Sequence, residues 1–187
     1  LVRLMDGEIG VKSVPSRGSI FWFYVQMYHG SQPIMKTKPA KDSVVVTHYP
    51  DLSGLRVLIA EDNPTNQMVI VGMLKKYNIK PTVANDGLDA LQVMMTIESG
   101  FDVVFMDCEM PNMDGYTATQ RIRVWEKNKH IAPVLIYGVS AHALTEYQQQ
   151  GMAAGMNDFL VKPLKQQDLS RALTQVMTQL MINKLAR

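Results

Sequence analysis

Cysteine is nearly absent from this sequence, which has one, Cys108, among 187 residues. A single cysteine excludes an internal disulfide and any zinc site that is built from several cysteines. No activating base lies near Cys108 in the sequence, so we expect a buried thiol and not a reactive one. This cysteine usage fits a reducing compartment, and we therefore expect the domain to be cytoplasmic.

Long hydrophobic runs and an excess of one charge are also missing. No apolar stretch approaches the roughly 18–20 residues that a membrane-spanning helix needs, so we expect no direct membrane contact. The 19 lysines and arginines nearly balance the 17 acids, for a formal net charge of +2. Because nucleic-acid-binding proteins usually carry a marked basic patch, we expect no nucleic acid partner.

The sequence divides into three segments of different composition. Residues 1–28 include two β-rich runs around the turn signal PSRG, which predicts a hairpin. Residues 29–51 are rich in proline, lysine, serine and threonine and are predicted to form a linker. Residues 52–187 are predicted to form a compact domain. Since the chain opens on Leu1 with strand-like sequence close behind, we expect it to be a piece of a longer protein.

Short apolar runs alternate with helical patterns throughout the compact domain. Five apolar runs predict strands at 56–60, 81–84, 102–106, 134–139 and 158–161. Helices are predicted between and after them, at 64–77, 87–99, 115–127, 143–154 and 166–182. Such alternation predicts an α/β fold in which five helices cover both faces of a doubly wound, five-stranded parallel sheet.

Polar side chains follow four of the five predicted strands. They are Glu61 and Asp62 after the first strand, Asp107 after the third, Ser140 after the fourth and Lys162 after the fifth. Each one alone has an ordinary structural explanation, such as a helix cap or a solvated lysine. Ligands of open parallel sheets bind outside the carboxyl ends of the strands. The convergence of all five residues at that edge therefore indicates a functional site.

These residue types favour phosphoryl transfer to a carboxylate. Three crowded acids repel one another, and we expect Mg²⁺ to offset them, with Asp62 and Asp107 as direct ligands and Glu61 further away. Asp107 is the expected nucleophile, while the metal and Lys162 neutralise the charge on the phosphoryl oxygens. Ser140 would donate a hydrogen bond to a phosphoryl group once it is attached.

Four segments, in this order and spacing, carry a resemblance to a known family: VLIAEDNPTNQMV, DVVFMDCEMPNMDGYTAT, VSAHAL and AGMNDFLVKPL. They resemble the receiver domain of two-component response regulators, especially the receivers of hybrid sensor histidine kinases, over about residues 53–183. The resemblance implies a flavodoxin-like sheet of strand order 2-1-3-4-5. It also implies a phosphorelay function, in which the domain takes a phosphoryl group onto an aspartate and changes conformation.

The resemblance implies a role for each matching residue. Asp107 would accept the phosphoryl group from a phosphohistidine. Mg²⁺ would be held by Glu61, Asp62, Asp107 and the backbone carbonyl of Glu109. Ser140 and Lys162 would contact the phosphoryl group, and Phe159, three residues before Lys162, would be the aromatic residue that switches with it. The peptide bond between Lys162 and Pro163 would be cis.

The N-terminal text LMDGEIGVKSVPSRGSIFWFYVQM resembles the closing hairpin of the ATP-binding domain of histidine kinases, although Asp6 stands where that family commonly has glycine. The resemblance covers only the end of that domain. We therefore expect the parent protein to be a histidine kinase that another part of its chain anchors in a membrane. This chain is expected neither to bind ATP nor to phosphorylate itself from ATP, and its only expected catalysis is phosphotransfer to Asp107.

A phosphoryl donor must reach Asp107, which implies a docking surface for a histidine-phosphotransfer domain or for the kinase's own phosphohistidine. We expect this surface on the first helix. Its outer side is predicted to carry Pro64, Met68, Val71 and Lys75. Its inner side, facing the sheet, is predicted to carry Val69, Ile70, Met73, Leu74 and Tyr77.

Two other functions remain open from the sequence. A phosphatase of the haloacid-dehalogenase type also uses an aspartate nucleophile, a lysine and Mg²⁺, but it needs a second aspartate where this sequence has Glu109. It also places its nucleophile after the first strand of its core. A degenerate receiver would serve only as a docking module, and the five intact residues at the sheet edge argue against that function.

Overall fold

Two compact units make up the chain, Leu1–Val46 and Thr47–Arg187. The structure, a computed structural model, describes residues 8–14, 18–24, 49–97, 100–141 and 145–185. The predicted linker therefore lies outside the described residues, except at 49–51. Among the described helices, none combines the length and the apolar character that crossing a bilayer requires.

The first unit contains an antiparallel hairpin. Its strands are β1 (Glu8–Val14) and β2 (Gly18–Tyr24), which confirms the hairpin expected in this part of the sequence. Gly10 lies opposite Trp22, and a methyl group at Gly10 would lie 2.5 Å from the Trp22 ring. The ring therefore covers the backbone of the facing strand, and it stacks on Tyr24 with ring centroids 6.5 Å apart.

One face of the hairpin is apolar and exposed. The register places Ile9 opposite Phe23 and Val11 opposite Phe21. Because alternate residues of a strand point to the same side, all four side chains share one face. Each of these side chains is more than half exposed.

A five-stranded parallel sheet forms the centre of the second unit. Its strands are β3 (Val57–Ala60), β4 (Thr82–Ala84), β5 (Val103–Asp107), β6 (Leu135–Ser140) and β7 (Asp158–Val161). They lie side by side in the order β4-β3-β5-β6-β7, and every neighbouring pair is parallel. Numbered within this sheet the order is 2-1-3-4-5, which confirms the predicted flavodoxin-like topology.

Five helices cover the sheet, and each one follows a strand. They are α1 (Pro64–Lys75), α2 (Gly87–Thr96), α3 (Gly115–Lys129), α4 (Thr145–Ala154) and α5 (Gln166–Leu185). Helices α1 and α5 contribute to a hydrophobic core on one face of the sheet, and α2, α3 and α4 contribute to a core on the other face. Strand β5 contributes to both cores, because its alternate side chains point to opposite faces. The doubly wound fold is therefore confirmed.

A capping side chain fixes the start of three of the helices, α1, α2 and α3, where each follows a loop at the carboxyl edge of the sheet. At α1 the Asn63 side chain accepts a hydrogen bond from Thr65 N at 2.9 Å, and Pro64 is the first helical residue. Asp86 caps α2 and Asp114 caps α3 in the same way. These caps satisfy backbone donors that would otherwise lack partners, so they fix where each edge loop ends.

The ends of helices and strands differ from the predicted ones by a few residues. Strands β5 and β6 each run one residue further, so that Asp107 and Ser140 are the last residues of their strands, still paired with their neighbours. Helix α1 ends at Lys75 instead of 77, because Asn78 adopts a left-handed backbone conformation with φ of 59° and turns the chain. Helix α5 continues to Leu185.

The sequence prediction assigns two residues of α1 to the wrong side of the helix. Val69, expected to face the sheet, is 46% exposed, and Val71, expected on the outer side, is half-buried against the core under α1 and α5. Both lie about 100° around the helix from Ile70, in opposite directions, so helical periodicity does not distinguish them. The neighbouring elements decide which flank is covered. The remaining predicted inner residues do face the core: Ile70, Met73, Leu74 and Tyr77.

Candidate functional site

The carboxyl edge of the sheet brings together the residues that follow its strands. Glu61 and Asp62 follow β3, Asp107 ends β5 and Lys162 follows β7. Strands β3 and β5 are neighbours, so their acids adjoin. Carboxylate oxygens of Glu61, Asp62 and Asp107 all lie within 4.8 Å of one another. The structure therefore contains the acid cluster that the sequence predicted.

Lys162 joins two of these acids. Its Nζ atom lies 2.6 Å from Asp107 Oδ2 and 2.8 Å from Glu61 Oε2. The Glu61 and Asp107 side chains are only 1% and 5% exposed. Buried carboxylates need a counter-charge, and the Lys162 ammonium provides it. Sequence reasoning placed Lys162 at this edge but missed its contact with Glu61.

Burial and charge together set the pKa values of this group. Burial raises the pKa of Asp107 to about 6; hydrogen bonds from Lys162 and from the Glu109 backbone N–H, at 3.2 Å, act against it. Burial also disfavours the Lys162 ammonium, but contacts with Asp107 and Glu61 outweigh it and raise the pKa of Lys162 above its usual value. Lys162 is thus a fixed cation beside a carboxylate whose ionisation is costly.

Neighbours on α1 hold Glu61 in one orientation. Asn66 Nδ2 donates to Glu61 Oε1 at 2.9 Å, and the Asn63 backbone N–H donates to the same oxygen at 3.2 Å. Gln67 Nε2 donates to the Glu61 backbone oxygen at 2.7 Å. Oxygen Oε1 is therefore bound to the start of α1, and Oε2 faces Lys162. Sequence reasoning missed Asn66 and Gln67, although first-turn side chains of a helix point back towards the preceding strand.

The acid cluster fits a magnesium ion. Mg²⁺ binds one or two carboxylates in most protein sites and keeps several waters. Asp62 is exposed, so water reaches the cluster from its side. Lys162 contacts Oδ2 of Asp107, and Oδ1 accepts a long hydrogen bond of 3.2 Å from Glu109 N. The donor types, their spacing and their access to water are those that this ion requires.

Ser140 and Lys162 stand next to each other in the sheet. Ser140 ends β6 and is 3% exposed. The Lys162 backbone N–H donates to the Ser140 backbone oxygen at 2.8 Å. The peptide bond from Lys162 to Pro163 is cis, as predicted. Since β6 adjoins β5, Ser140 lies one strand away from Asp107.

The Phe159 ring occupies a slot between β6 and α4. Phe159 lies opposite Gly138 in the sheet and is half-buried. A methyl group at Gly138 would lie 2.5 Å from Phe159 Cε1, and one at Gly151 of α4 would lie 2.1 Å from Cζ. Both distances are far below a van der Waals contact, so Gly138 and Gly151 define the space that the ring fills. We call this space the glycine slot, and the sequence did not indicate it.

The loop after Asp107 folds back onto the end of its strand. Gly115 N donates to Cys108 O at 3.1 Å, and a methyl group at Gly115 would lie 2.1 Å from the Asp107 backbone oxygen. Only glycine fits this approach. Cys108 is 1% exposed, and burial raises its pKa to about 11. The thiol is therefore protonated at neutral pH, as expected for an unreactive buried cysteine.

A cleft of about 560 Å³ opens beside the acids. Asp62 and Glu109 border it on the acid side, and Tyr116, Tyr147 and Gln150 border it on the side of α3 and α4. A space of this size admits a small molecule or a side chain of another protein. The cleft therefore leads from solvent to the region of the acid cluster.

The residues predicted for partner docking lie on α1, which starts at the acid cluster. Met68 is 71% exposed, and Pro64 and Lys75 are also exposed. Val71 is half-buried against the core instead. The outer side of α1 thus presents three of the four predicted docking residues.

Comparison with known proteins gives consistent matches. The model of the response regulator receiver domain matches residues 57–174. Hybrid signal transduction histidine kinase K of Dictyostelium discoideum is 35% identical over 178 residues, which cover 92% of this chain and 14% of that protein. Sensor protein EvgS of Escherichia coli is 31% identical over 176 residues, which cover 94% of this chain and 14% of that protein. The chain therefore spans a small part of the length of these relatives.

Solved structures with similar folds agree with these matches. The receiver domain of the Saccharomyces cerevisiae response regulator Ssk1, crystallised with the histidine phosphotransfer protein Ypd1, has a TM-score of 0.62 and 31% identity, covering 67% of this chain and 88% of that one. The receiver domain of sensor histidine kinase PA1611 of Pseudomonas aeruginosa has a magnesium ion in its active site cleft. It has a TM-score of 0.58 and 36% identity, covering 66% of this chain and 98% of that one.

Proposed function

The chain belongs to the family of response regulator receiver domains, and we propose that Asp107 is its phosphoryl acceptor. As a receiver domain it is a component of two-component signalling. One observation supports the assignment most directly. Asp107 ends the central strand β5, with Lys162 Nζ 2.6 Å from Oδ2 and with oxygens of Glu61 and Asp62 within 4.8 Å. Asp107 is thus a carboxylate in contact with a fixed cation and close to two further acids that could hold a metal ion.

The proposed reaction transfers a phosphoryl group from a phosphohistidine. An oxygen of Asp107 attacks the phosphorus while the bond from phosphorus to the imidazole nitrogen breaks. The imidazole leaves with that electron pair and takes up a proton, and the product is an acyl phosphate on Asp107. Because the phosphoryl oxygens carry negative charge throughout, cations that are positioned beforehand lower the barrier. Lys162 would be one of them.

Glu61, Asp62, Asp107 and the Glu109 backbone carbonyl would together hold Mg²⁺. When bound, the ion would offset the acid charges and stabilise the charge on the phosphoryl oxygens. Two receiver domains with related structures support this proposal, since PA1611 of Pseudomonas aeruginosa and CKI1 of Arabidopsis thaliana were both crystallised with magnesium.

We propose that Ser140 and Phe159 connect phosphorylation to a change of shape. A phosphoryl group adds about −1.5 to −2 charge at neutral pH, and the Ser140 hydroxyl would turn towards it from the neighbouring strand. Phe159 would then turn within the glycine slot. Phosphorylation would shift an equilibrium between two arrangements that both exist beforehand.

Labelling with acetyl phosphate and Mg²⁺, followed by intact-mass spectrometry, tests the acceptor. The wild-type chain should gain one phosphoryl group that is stable in acid and labile in base, and Asp107→Asn should gain none. Asp158→Asn is the matched control, because Asp158 starts β7 at the opposite end from the site, and it should label like wild type. Full labelling of Asp107→Asn would refute the assignment.

A phosphatase of the haloacid-dehalogenase type is not favoured. Glu109 stands where that class needs an aspartate, and Asp107 ends the third strand of its sheet in chain order instead of the first. In the labelling experiment such a phosphatase would release phosphate from esters continuously. A receiver that serves only for docking would neither label nor turn over.

We propose that the outer side of α1 docks a histidine-phosphotransfer domain or the kinase's own phosphohistidine. Pro64, Met68 and Lys75 are exposed there, on the helix that follows the loop with Asp62. The complex of Ypd1 with the Ssk1 receiver supports this kind of partner. Val71 would contribute less than the sequence suggested, because it is half-buried.

We propose that residues 1–28 are the end of a histidine-kinase ATP-binding domain, 29–51 a linker and 52–187 the receiver. The match to hybrid histidine kinase K extends well beyond 57–174, which supports this division. The exposed apolar face of the hairpin is what such a fragment would show without the rest of its domain. The parent protein would then be a hybrid kinase anchored elsewhere in its chain, with this receiver in the cytoplasm. Truncation to 52–187 should leave labelling by acetyl phosphate unchanged.

A further inference from the structure

An apolar groove of about 500 Å³ runs between α2 and α3. Its apolar lining comes from Leu91 and Met95 of α2 and from Val124 and Trp125 of α3. Polar residues of α3 complete it: Gln120, Arg121 and Asn128. Helices α2 and α3 cover the face of the sheet opposite to α1. The groove is therefore separate from the acid cluster and from the proposed docking surface.

The packing of the two helices explains where the groove begins. Near their first turns the helices approach closely, since a methyl group at Gly87 would lie 2.5 Å from the Met113 backbone oxygen and 2.9 Å from Ala118 Cβ. The groove is lined by residues of later turns, beyond this close contact. It is thus a feature of the folded helix pair and not of a loop.

Large apolar side chains in and beside the groove are exposed. Met95 is 52% exposed, Val124 is 60% exposed and Leu88, at the start of α2, is 41% exposed. On α2 the spacing of Leu88, Leu91 and Met95 places them in one stripe. Single exposed apolar residues need no explanation, but adjoining ones with a polar rim are typical of interaction surfaces.

The surface beside the groove is cationic. Arg121 lines the groove, and Lys127 and Lys129 are exposed further along α3. The one acid of α3, Glu126, is buried and lies 2.7 Å from Arg123. Within the described ranges, no residue forms an ion pair with Arg121, Lys127 or Lys129. The exposed side of α3 therefore offers three cations and no acid to a partner.

We propose that the groove between α2 and α3 docks an acidic amphipathic helix of a partner protein. The apolar side of that helix would pack on Met95, Val124 and Trp125, and its acids would face Arg121 and Lys127. The lining of α3 from 120 to 128 covers about 12 Å, and apolar residues at i, i+4 and i+7 of a bound helix span about 10 Å. Because the groove lies on the other face of the domain, a phosphoryl donor on α1 and this partner could bind together.

Trp125 makes occupation of the groove measurable. The chain has two tryptophans, Trp22 and Trp125, so in Trp22→Phe all tryptophan emission comes from the groove. The probes are two peptides of about 14 residues, cross-linked because short isolated helices are marginal in water. Both carry leucine at i, i+4 and i+7. One has glutamate at the flanking positions and the other has lysine.

The acidic peptide should shift Trp125 emission and bind at least about tenfold more tightly than the basic one, with an affinity that falls as salt rises. In the Trp22→Phe background, Val124→Glu and Arg121→Glu should each weaken it by about five- to tenfold. Met181→Glu, an exposed position on α5 at the opposite face, is the control and should bind like its parent.

Three results would overturn the proposal. They are no change in emission at millimolar peptide, equal binding of the two peptides, and undiminished binding to Val124→Glu. Sedimentation of the chain alone provides a fourth. A dimer that Val124→Glu dissociates would show that a second copy covers the groove, and the acidic helix would then not be its occupant.

Discussion

The Lys162 ammonium lies between Asp107 and Glu61, 2.6 Å from one carboxylate oxygen and 2.8 Å from the other. These acids belong to the cluster that would also hold Mg²⁺. The lysine therefore acts as an internal counter-ion, and it reduces the attraction of the cluster for a second cation. At the same time it would be positioned to neutralise a phosphoryl group on Asp107 in the proposed reaction. One residue would thus weaken metal binding and assist the proposed transfer.

Replacing Lys162 with methionine separates these two effects. The affinity for Mg²⁺, measured by calorimetry, should rise by about tenfold because no internal cation competes. Labelling by acetyl phosphate at saturating Mg²⁺ should slow, because one cation is lost.

In EDTA the free energy of unfolding of this Lys162 variant should fall by about 2 kcal/mol, since two buried acids lose their counter-charge. Lys165→Met, at an exposed position, is the control. A weaker affinity for Mg²⁺ would show that Lys162 organises the acids more than it competes for them.

The raised pKa of Asp107 makes the stability of the metal-free domain depend on pH. The carboxyl group holds its proton more tightly in the folded chain, where its pKa is about 6, than in the unfolded chain, where it is 3.8. The folded state therefore binds more protons between these values, and stability falls as pH rises through them. Asn at this position cannot ionise, so Asp107→Asn removes the dependence.

In EDTA at about pH 7.5 we expect Asp107→Asn to melt a few degrees higher than wild type, and at about pH 4 we expect the two to differ little. Circular dichroism during heating measures both. Adding Mg²⁺ at the higher pH should stabilise wild type more than the variant, because the variant lacks a ligand. A lower melting temperature for the variant at about pH 7.5 in EDTA would mean that the contact with Lys162 outweighs the cost of burial.

Much of this site could be predicted because it depends on strand order. Alternating apolar runs indicated a parallel sheet; Glu61 and Lys162 each follow a strand directly, and Asp107 ends one. Parallel strands end at one edge, so these residues had to meet there. Their adjacency follows from the backbone and needs no knowledge of side-chain conformation.

The parts that could not be predicted depend on packing between elements far apart in the chain. The contact of Lys162 with Glu61 joins β7 to β3, and the glycine slot joins β6, β7 and α4. Val69 and Val71 were assigned to the wrong sides of α1 because they flank the apolar stripe equally, and only the neighbouring elements decide between them. A single sequence contains periodicity but not these neighbours.

Asn66 should position Glu61 for metal binding. Its Nδ2 donates to Glu61 Oε1 at 2.9 Å, and an alanine there would free the carboxylate to turn. Partners of metal ligands commonly contribute about tenfold or more to affinity, so Asn66→Ala should weaken Mg²⁺ binding by about tenfold. Thr65→Ala is the control, because the Thr65 side chain is exposed on the same turn. Unchanged Mg²⁺ affinity in Asn66→Ala, measured by calorimetry, would remove Asn66 from this role.

The glycine slot should determine where the Phe159 ring lies. A methyl group at Gly151 would lie 2.1 Å from Phe159 Cζ, so Gly151→Ala should displace the ring and destabilise the fold by about 1–3 kcal/mol. Fluorine NMR of chains that carry 4-fluorophenylalanine reports on the ring directly. The chain has five phenylalanines and so gives five signals, and the signal that is lost in Phe159→Leu belongs to Phe159.

Two further variants test whether Gly151 acts through that ring. In a Phe159→Leu background the cost of Gly151→Ala should shrink, since the shorter side chain leaves room. Gly72→Ala is the matched control, because apart from its chain neighbours and the adjoining helix backbone no atom lies within 4 Å of a methyl group there, and it should stabilise α1 by about 0.5–1 kcal/mol. An unmoved Phe159 signal in Gly151→Ala would show that the helix shifts and the ring does not.

We expect Met68 to affect the rate of phosphoryl transfer from a protein donor but not from a small-molecule donor. It is 71% exposed on α1, the helix that begins at the acid cluster, and on the proposed docking a donor histidine approaching Asp107 would cover this surface. A buried glutamate without a partner is costly at an interface, so Met68→Glu should slow transfer from a phosphorylated histidine-phosphotransfer domain several-fold. Labelling by acetyl phosphate should stay unchanged, because a small donor needs no docking surface. Met181→Glu, far along α5 from the acid cluster, should affect neither rate. Equal loss with both donors would mean that Met68 supports the fold of α1 and not the partner.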